Sequence, residues 1–267
     1  MAANKKNPAN KKKFTWINGL QVVTIIALLA YVQYAVDAGR ISKIFIASPK
    51  MIVDEAVKII SNGTLLPHLV LTLQELVVGY LLAAGVGVAV ALLWILFPGL
   101  EAFMDLFCSA IMAVPKTAIL PLLILWFGIG FQSKIVLIFL FTVFQILYNT
   151  ITGAKQTDVK FIKVAKVFKA NRFQMVFDIM IPAAIPSMFN GLKLAAATAL
   201  TGVVFSEMQS AKGGLGFLLA EAQQLLNSAR MFFVIVLVTV ISVLFVKLIG
   251  LIEYSICHKW QQKVSNI

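Results

Sequence analysis

Long apolar stretches, separated by short polar intervals, set the pattern along this chain of 267 residues. A helix must carry roughly 20 apolar residues to cross about 30 Å of hydrocarbon. Stretches 16–36, 69–97, 100–127, 135–152, 179–208 and 232–256 meet that requirement. The expected fold class is therefore all-α: a polytopic transmembrane helical bundle of six spans. Gly85 and Gly87 place a small-x-small pattern in the second span, which lets a neighbouring helix approach closely. Tight turns are expected at Phe97-Pro98-Gly99 and Gly128-Ile129-Gly130. The third span, read as one continuous helix, carries Pro115 and Pro121 with Lys116 between them. The fifth is longer than the hydrocarbon is thick, so its first part, with Pro182, Pro186 and Asn190, is expected at the cytoplasmic interface. A short helix is expected after Ser48-Pro49, with Ser48 as its cap and Pro49 in its first position. Residues 212–230, with GGLG at 213–216, are expected to form an outer loop.

One polar interval, around 157–186, cannot be hidden in a membrane. Five lysines and one arginine lie between Lys155 and Arg172, against the single acid Asp158. At helical pitch Phe161, Val164, Ala165 and Phe168 share a face, while Lys163 and Lys166 point away from it. A second short segment repeats the device with Phe173, Val176 and Phe177. Such a pattern suits either a docking surface for a soluble partner or a basic loop lying on anionic headgroups.

Composition agrees with the pattern. A content of 60% hydrophobic and 13% charged residues, with a mean hydropathy of +0.93, excludes an ordinary soluble globule. The net charge of +12 comes with no basic and aromatic module for nucleic acid, so it is read as a report of topology. Thirteen of the 23 basic residues fall on the two tails and the 155–172 interval. Seven, namely Arg40, Lys43, Lys50, Lys58, Lys134, Lys212 and Arg230, fall on the other side. This bias predicts a multi-pass protein of the cell membrane with both termini cytoplasmic. The expected organisation is a basic tail over 1–15, a membrane domain over 16–256 containing a cytoplasmic loop at 154–178, and a second tail over 257–267. A signal peptide is a poor fit, because the first apolar run is too long for one and no small-x-small cleavage site follows. Cys108 and Cys257 are expected to be inert free thiols.

Catalytic patterns are missing: no phosphate-binding GxxxxGK[ST], no HExxH and no CxxC, and His68 lies far from His258 in sequence. The chain is therefore read as a transporter component and not an enzyme. Lys116 is costly in lipid and is expected to face a bundle interior or a water-filled path. There it either attracts an anion or is paired with an acid or with a carbonyl freed by a proline. Glu207 either lines or gates the path or caps the neighbouring loop. Glu75 is expected to reach the interface, and Lys193 and Lys247 to snorkel toward headgroups. Gly191, Ala195, Ala199 and Gly202 suit helix packing. A transporter driven by an ion gradient would be expected to show paired intramembrane acids and an internal repeat. No convincing repeat is visible. A membrane scaffold, or an inactive partner of a second permease, is a third reading.

The polar interval resembles the cytoplasmic "EAA" loop of ABC importer permeases: EAA, three residues, Gly, nine residues, then Ile-x-Leu-Pro. Lys163-Val164-Ala165, Lys169 and Ile179-Met180-Ile181-Pro182 keep that spacing, with lysine at both the glutamate and the glycine positions. Pro115-Lys116-Thr117-Ala118-Ile119-Leu120-Pro121, LLILWFGIG, Ser133-Lys134, Gly191-Leu192-Lys193 and VVFSE to GGLGF resemble the nitrate, sulfonate and taurine group of these permeases. The likeness covers roughly residues 45–255. It implies a type I importer permease that works as a homodimer or heterodimer with a second permease copy. Two ABC ATPase subunits lie beneath, and an extracellular solute-binding protein delivers the substrate. Phe161, Lys163, Val164, Ala165, Phe168, Lys169, Ala170, Ile179, Ile181 and Pro182 then form the ATPase-coupling loop, with Phe161, Val164 and Phe168 buried against the bundle or in an ATPase groove. Lys116 and Glu207 become candidates for the translocation path. No cofactor is expected on this chain, since ATP and magnesium belong to the partners. The implied substrate is a small oxyanion or sulfonate; importers of heterocyclic vitamin precursors share the resemblance.

Overall fold

The computed structural model describes residues 8–210 and 212–265, with side chains over 16–209 and 212–256. The tail lysines, Cys257 and His258 lie outside the described side chains. Among the described residues all regular structure is helical: α1 (Pro8–Asp37), α2 (Pro49–Ser61), α3 (Leu65–Leu96), α4 (Pro98–Ala113), α5 (Lys116–Phe127), α6 (Phe131–Lys155), α7 (Val159–Val167), α8 (Arg172–Gln174), α9 (Ile181–Ser210), α10 (Leu215–Gln224) and α11 (Ser228–Ser265). Among them, five continuous helical stretches are long and apolar enough to cross a membrane, and α4 with α5 makes a bent sixth.

That bent pair replaces the continuous third span. The two helices meet at 94°. Val114, which precedes Pro115, is held extended at φ −70° and ψ 129°, because the proline ring crowds the α conformation of the residue before it. Helix α4 ends there and α5 starts in a new direction.

The chain divides into two compact units. The first comprises 1–63 and 221–233. Ser48 caps α2 by accepting from the Met51 amide, with Pro49 in the first turn, as the local sequence predicts. Gln33 of α1 accepts from the Lys50 amide at 3.1 Å. Arg230 bonds to Glu55 at 2.9 Å and Glu221 at 3.0 Å. The expected outer loop at 212–230 therefore contains a helix, α10, and its tail is tied down by charge-assisted bonds.

In the second unit, 64–220 with 234–267, α6 packs against both α3 and α9. Leu76, Ile138, Ile146, Ala195 and Ala199 are fully buried at these contacts. Small residues allow the approach: a Cβ on Gly191 would lie 2.6 Å from the Asn149 Cβ and 3.0 Å from the Gln145 carbonyl. Gly87 likewise meets Ile146, whereas Gly85 faces open space.

The fifth span starts earlier than its apolar pattern suggests. A continuous helical path runs from Arg172 to Gln209, and Met175–Met180 forms a π turn in which Ile181 donates to Val176. Pro182 explains the wide turn. It has no N–H, and its ring would strike the carbonyl four residues back in a tight α-helix. The segment with Phe173, Val176 and Phe177 is thus the start of the fifth span and not a separate turn.

Candidate functional site

Of the residues expected to form a coupling loop, Phe161, Lys163, Val164 and Ala165 lie on α7, Phe168, Lys169 and Ala170 follow its end, Ile179 lies in the π turn, and Ile181 and Pro182 begin α9. Asp158 caps α7 by accepting from the Lys160 amide at 2.8 Å. At the other end the Lys169 amide donates to the Lys166 carbonyl, and the Ala170 amide donates to the Ala165 carbonyl. These two bonds form a Schellman cap whose left-handed residue is Lys169, at φ 55°. The position where the family pattern carries glycine is thus a positive-φ position, and here a lysine occupies it. Its side chain adds a steric cost of about 1 kcal/mol.

Helix α7 has three faces. Ala165 is buried and Ile162 half-buried, which turns that face inward. Phe161, Val164 and Phe168 are 62%, 54% and 81% exposed, so the bundle does not bury them. Ala165 therefore leaves the apolar face it was expected to share with them. Lys160, Lys163 and Lys166 line the third, exposed face. Ile179, Ile181, Pro182 and Ala170 are half-buried. Behind the loop Val176 and Ala184 pack with Ile95, Leu96 and Ala154, so the ends of α3, α6 and the π turn hold its base.

The other end of α3 carries a buried polar cluster, about 30 Å from Ile95 along the helix axis. Lys134 of α6 reaches Glu75 of α3 at 2.6 Å, with side chains 4% and 1% exposed. Glu207 of α9 accepts from the Thr72 hydroxyl and from the Gly216 amide, each at 2.7 Å. Thr72 in turn accepts from the Leu215 amide at 2.8 Å, and His68 Nδ1 accepts from the Gly214 amide at 2.9 Å. The His68 ring stacks on Phe217 at 5.8 Å. Gly214 sits at φ 105°, and a Cβ there would strike the Glu207 carboxylate. One buried oxygen, Glu75 Oε2, has no hydrogen-bond partner among the described residues. Glu207 thus closes the GGLG segment onto α3.

Three expectations change here. Glu75 is buried and paired instead of reaching an interface, and Lys134 is a buried residue of α6 instead of an outer-loop charge. Lys193 bonds to Glu253 at 2.8 Å instead of snorkelling alone. Sequence reasoning missed the Glu75–Lys134 pair, although a signal existed. That signal is one-sided: Glu75 is the lone charge of stretch 69–97 and needs a partner there, whereas Lys134 stands just before the stretch that starts at residue 135. Thr72 and His68 gave no comparable sign.

Lys116 stands at the start of α5, half-exposed, and is not joined to Glu207. Among the described residues it bonds to neither an acid nor a carbonyl. A cleft of about 340 Å³, which Lys116 does not line, is bounded by Thr117, Leu120, Pro121 and Ile124 of α5 and by Phe205 and Gln209 of α9. Among the described residues no cluster of three or more metal-ligating side chains occurs.

Comparison with known proteins agrees with this architecture. Residues 83–256 match the family described as binding-protein-dependent transport system inner membrane component. A Bacillus subtilis relative named as an aliphatic sulfonates transport permease, SsuC, is 30% identical over 97% of this chain and 92% of its own length. The riboflavin transport permease RibX of Chloroflexus aurantiacus is 29% identical over 94% and 93%, and the taurine transport permease TauC of Escherichia coli is 28% identical over 84% of each. A chain from inward-facing structures of the MetNI methionine ABC transporter superposes with a TM-score of 0.59. It covers 69% of this chain and 92% of that one at 20% identity, a likeness of fold. The chain belongs to the binding-protein-dependent transport inner membrane components, the multi-pass permease subunits of ABC importers of small solutes, and it is not an enzyme.

Proposed function

We propose that this permease forms the path for a small organic oxyanion, a sulfonate such as taurine or an alkanesulfonate, in an ATP-driven importer. Two ATPase subunits bind ATP and magnesium and dock on α7. A second permease copy completes the path, and an extracellular binding protein delivers the substrate. Both termini and α7 lie in the cytoplasm, and GGLG faces outside. The observation that carries this reading is α7 itself. Its base is held by α3, α6 and the π turn, while Phe161, Val164 and Phe168 are left bare beside three lysines. An apolar knob with a basic flank suits a partner groove with an apolar floor and an acidic rim. Closure of the ATPases would then push a rigid element that moves the spans.

Similarity to a sulfonate and a taurine permease supports the substrate class. A heterocyclic vitamin precursor is the second reading, favoured by RibX and by a formylaminopyrimidine permease, ThiX, at 26% identity. Proteoliposomes containing the permease, its ATPase and its binding protein should take up radiolabelled butanesulfonate only with ATP. Uptake driven by an ion gradient without ATP would overturn the mechanism. Uptake of riboflavin in place of butanesulfonate would overturn the substrate. For orientation, Gln156→Cys and Lys212→Cys, each in a background lacking Cys108 and Cys257, should be labelled from opposite faces by an impermeant thiol reagent.

A further inference from the structure

We infer that α2 is an interfacial helix whose stripe of Val53, Val57 and Ile60 is seated on membrane lipid, at the boundary between headgroups and acyl chains. The inference depends neither on the substrate nor on which membrane face is the outer one.

Helix α2 presents three different sides. Val53, Val57 and Ile60 are 59%, 61% and 59% exposed, and at helical pitch they fall within about 60° of one another. Lys50, Asp54 and Lys58 are exposed along the adjoining side. The remaining side is turned to the protein: Ile59 is buried, and Glu55 holds Arg230 at 2.9 Å. A bare aliphatic stripe beside a charged one, on a helix already anchored by its third side, is the pattern of a helix with oil on one flank and water on the other.

The depth of α2 follows from its tie to α1. Trp16 and Tyr34, both exposed, lie about 27 Å apart along the α1 axis, close to the thickness of the hydrocarbon. Aromatic side chains at the two ends of a span mark the headgroup level on either face. Between Tyr31 and Tyr34, at that level, Gln33 accepts from the Lys50 amide at 3.1 Å, in the first turn of α2. The Arg40 guanidinium stands 5.5 Å from the centre of the Tyr34 ring, which keeps the connecting chain at the same level. At its other end, Ser61 precedes the apolar stretch 69–97 by about two helical turns. The chain thus leaves the membrane at the end of α1 and re-enters it soon after α2. A 13-residue helix, about 20 Å long, whose two ends are held near one membrane surface, lies along that surface.

The chemistry of the stripe favours lipid over a protein partner. The cores of protein interfaces are enriched in aromatic residues, methionine and arginine, and this stripe has none of them. Lys50 and Lys58 instead have stems long enough to bring their ammonium groups to lipid phosphates.

The test uses the full-length permease, assembled with its ATPase subunits, in vesicles of phosphatidylethanolamine and phosphatidylglycerol. In a background lacking Cys108 and Cys257, a nitroxide is attached at Val53→Cys, Asp54→Cys, Val57→Cys, Lys58→Cys or Ile60→Cys, one at a time. All five positions are exposed, so the label displaces no packed side chain. Labels at 53, 57 and 60 should collide more often with membrane-dissolved oxygen than with a water-soluble nickel chelate, and labels at 54 and 58 should show the reverse. A saturating amount of the binding protein should leave this division unchanged. The same preference at all five positions, for either probe, would overturn the inference. Labels at 53, 57 and 60 that favour the nickel chelate until the binding protein shields them would also overturn it, and would assign the stripe to that protein.

Discussion

The cluster around Glu75, Lys134 and Glu207 and the helix α7 lie at opposite ends of α3 and follow opposite rules. In the cluster a charge is matched inside the chain. Lys134 faces Glu75, Glu207 takes the Thr72 hydroxyl and the Gly216 amide, and both acids are fully buried. On α7 nothing on the outer faces is matched: the aromatic rings and the lysines all face outward. The difference separates architecture from interface. A buried charge must be compensated where it sits, so the cluster fixes helices. An exposed apolar face with lysines beside it stabilises nothing in this chain, and under the proposed function it gains its value on a partner.

The largest expected effect is at the ion pair. Lys134→Met leaves Glu75 buried without its ammonium, beside the second carboxylate of Glu207, and should cost about 3–5 kcal/mol. Thermal unfolding in detergent would show it, and Lys134→Met with Glu75→Leu should recover much of the loss. A single variant as stable as the parent would remove the structural role given to the pair. Next comes Glu207→Ala, which strands the Thr72 hydroxyl and the Gly216 amide at about 1–3 kcal/mol each. Hydrogen exchange should rise at residues 214–218, while α7 stays as protected as before. Exchange unchanged at the loop would mean that Glu207 does not hold it.

On α7 the order of effects reverses between stability and activity. Phe168→Ser, at an exposed site, should change stability by no more than about 0.5 kcal/mol. It should nevertheless abolish most ATP-dependent uptake while leaving ATP hydrolysis by the partner active. Loss of both stability and activity would place the ring against the permease itself. Lys163→Glu should lower coupling with the native ATPase, and an acid-to-base change in the ATPase groove should restore it. Wild-type transport by that variant would leave the apolar face as the sole coupling element. The smallest effect is at Lys169. Lys169→Gly relieves the positive-φ residue of the Schellman cap and should stabilise α7 by about 1 kcal/mol, less the added backbone entropy of glycine. Exchange protection at Ala165 and Ala170 would measure it.

Much of the fold was legible because the membrane imposes a length. Six apolar stretches became five continuous spans and one bent pair, and Ser48-Pro49 announced its own helix start. The loop around Lys163, Lys169 and Pro182 was visible by its spacing, and the lysine that stands in a glycine's place proves to have a positive φ of 55°. These are local signals: hydrocarbon thickness, a cap, a positive dihedral. What the sequence pattern could not decide depends on partners distant along the chain. Glu75 and Lys134 are 59 residues apart, and Thr72 and Glu207 are 135 apart. No periodicity links such pairs, because a helical wheel reports which face is apolar and not which neighbour it meets. The bend at Pro115 was written in the chain as a proline, but its 94° angle is a tertiary feature, with Leu120 and Leu123 of α5 packed on Leu137 of α6. The same holds for α7. Its amphipathic pattern was plain, yet only packing turned Ala165 and Ile162 inward and left Phe161, Val164 and Phe168 outside, because a helical wheel does not say which of two adjoining apolar faces meets a neighbour.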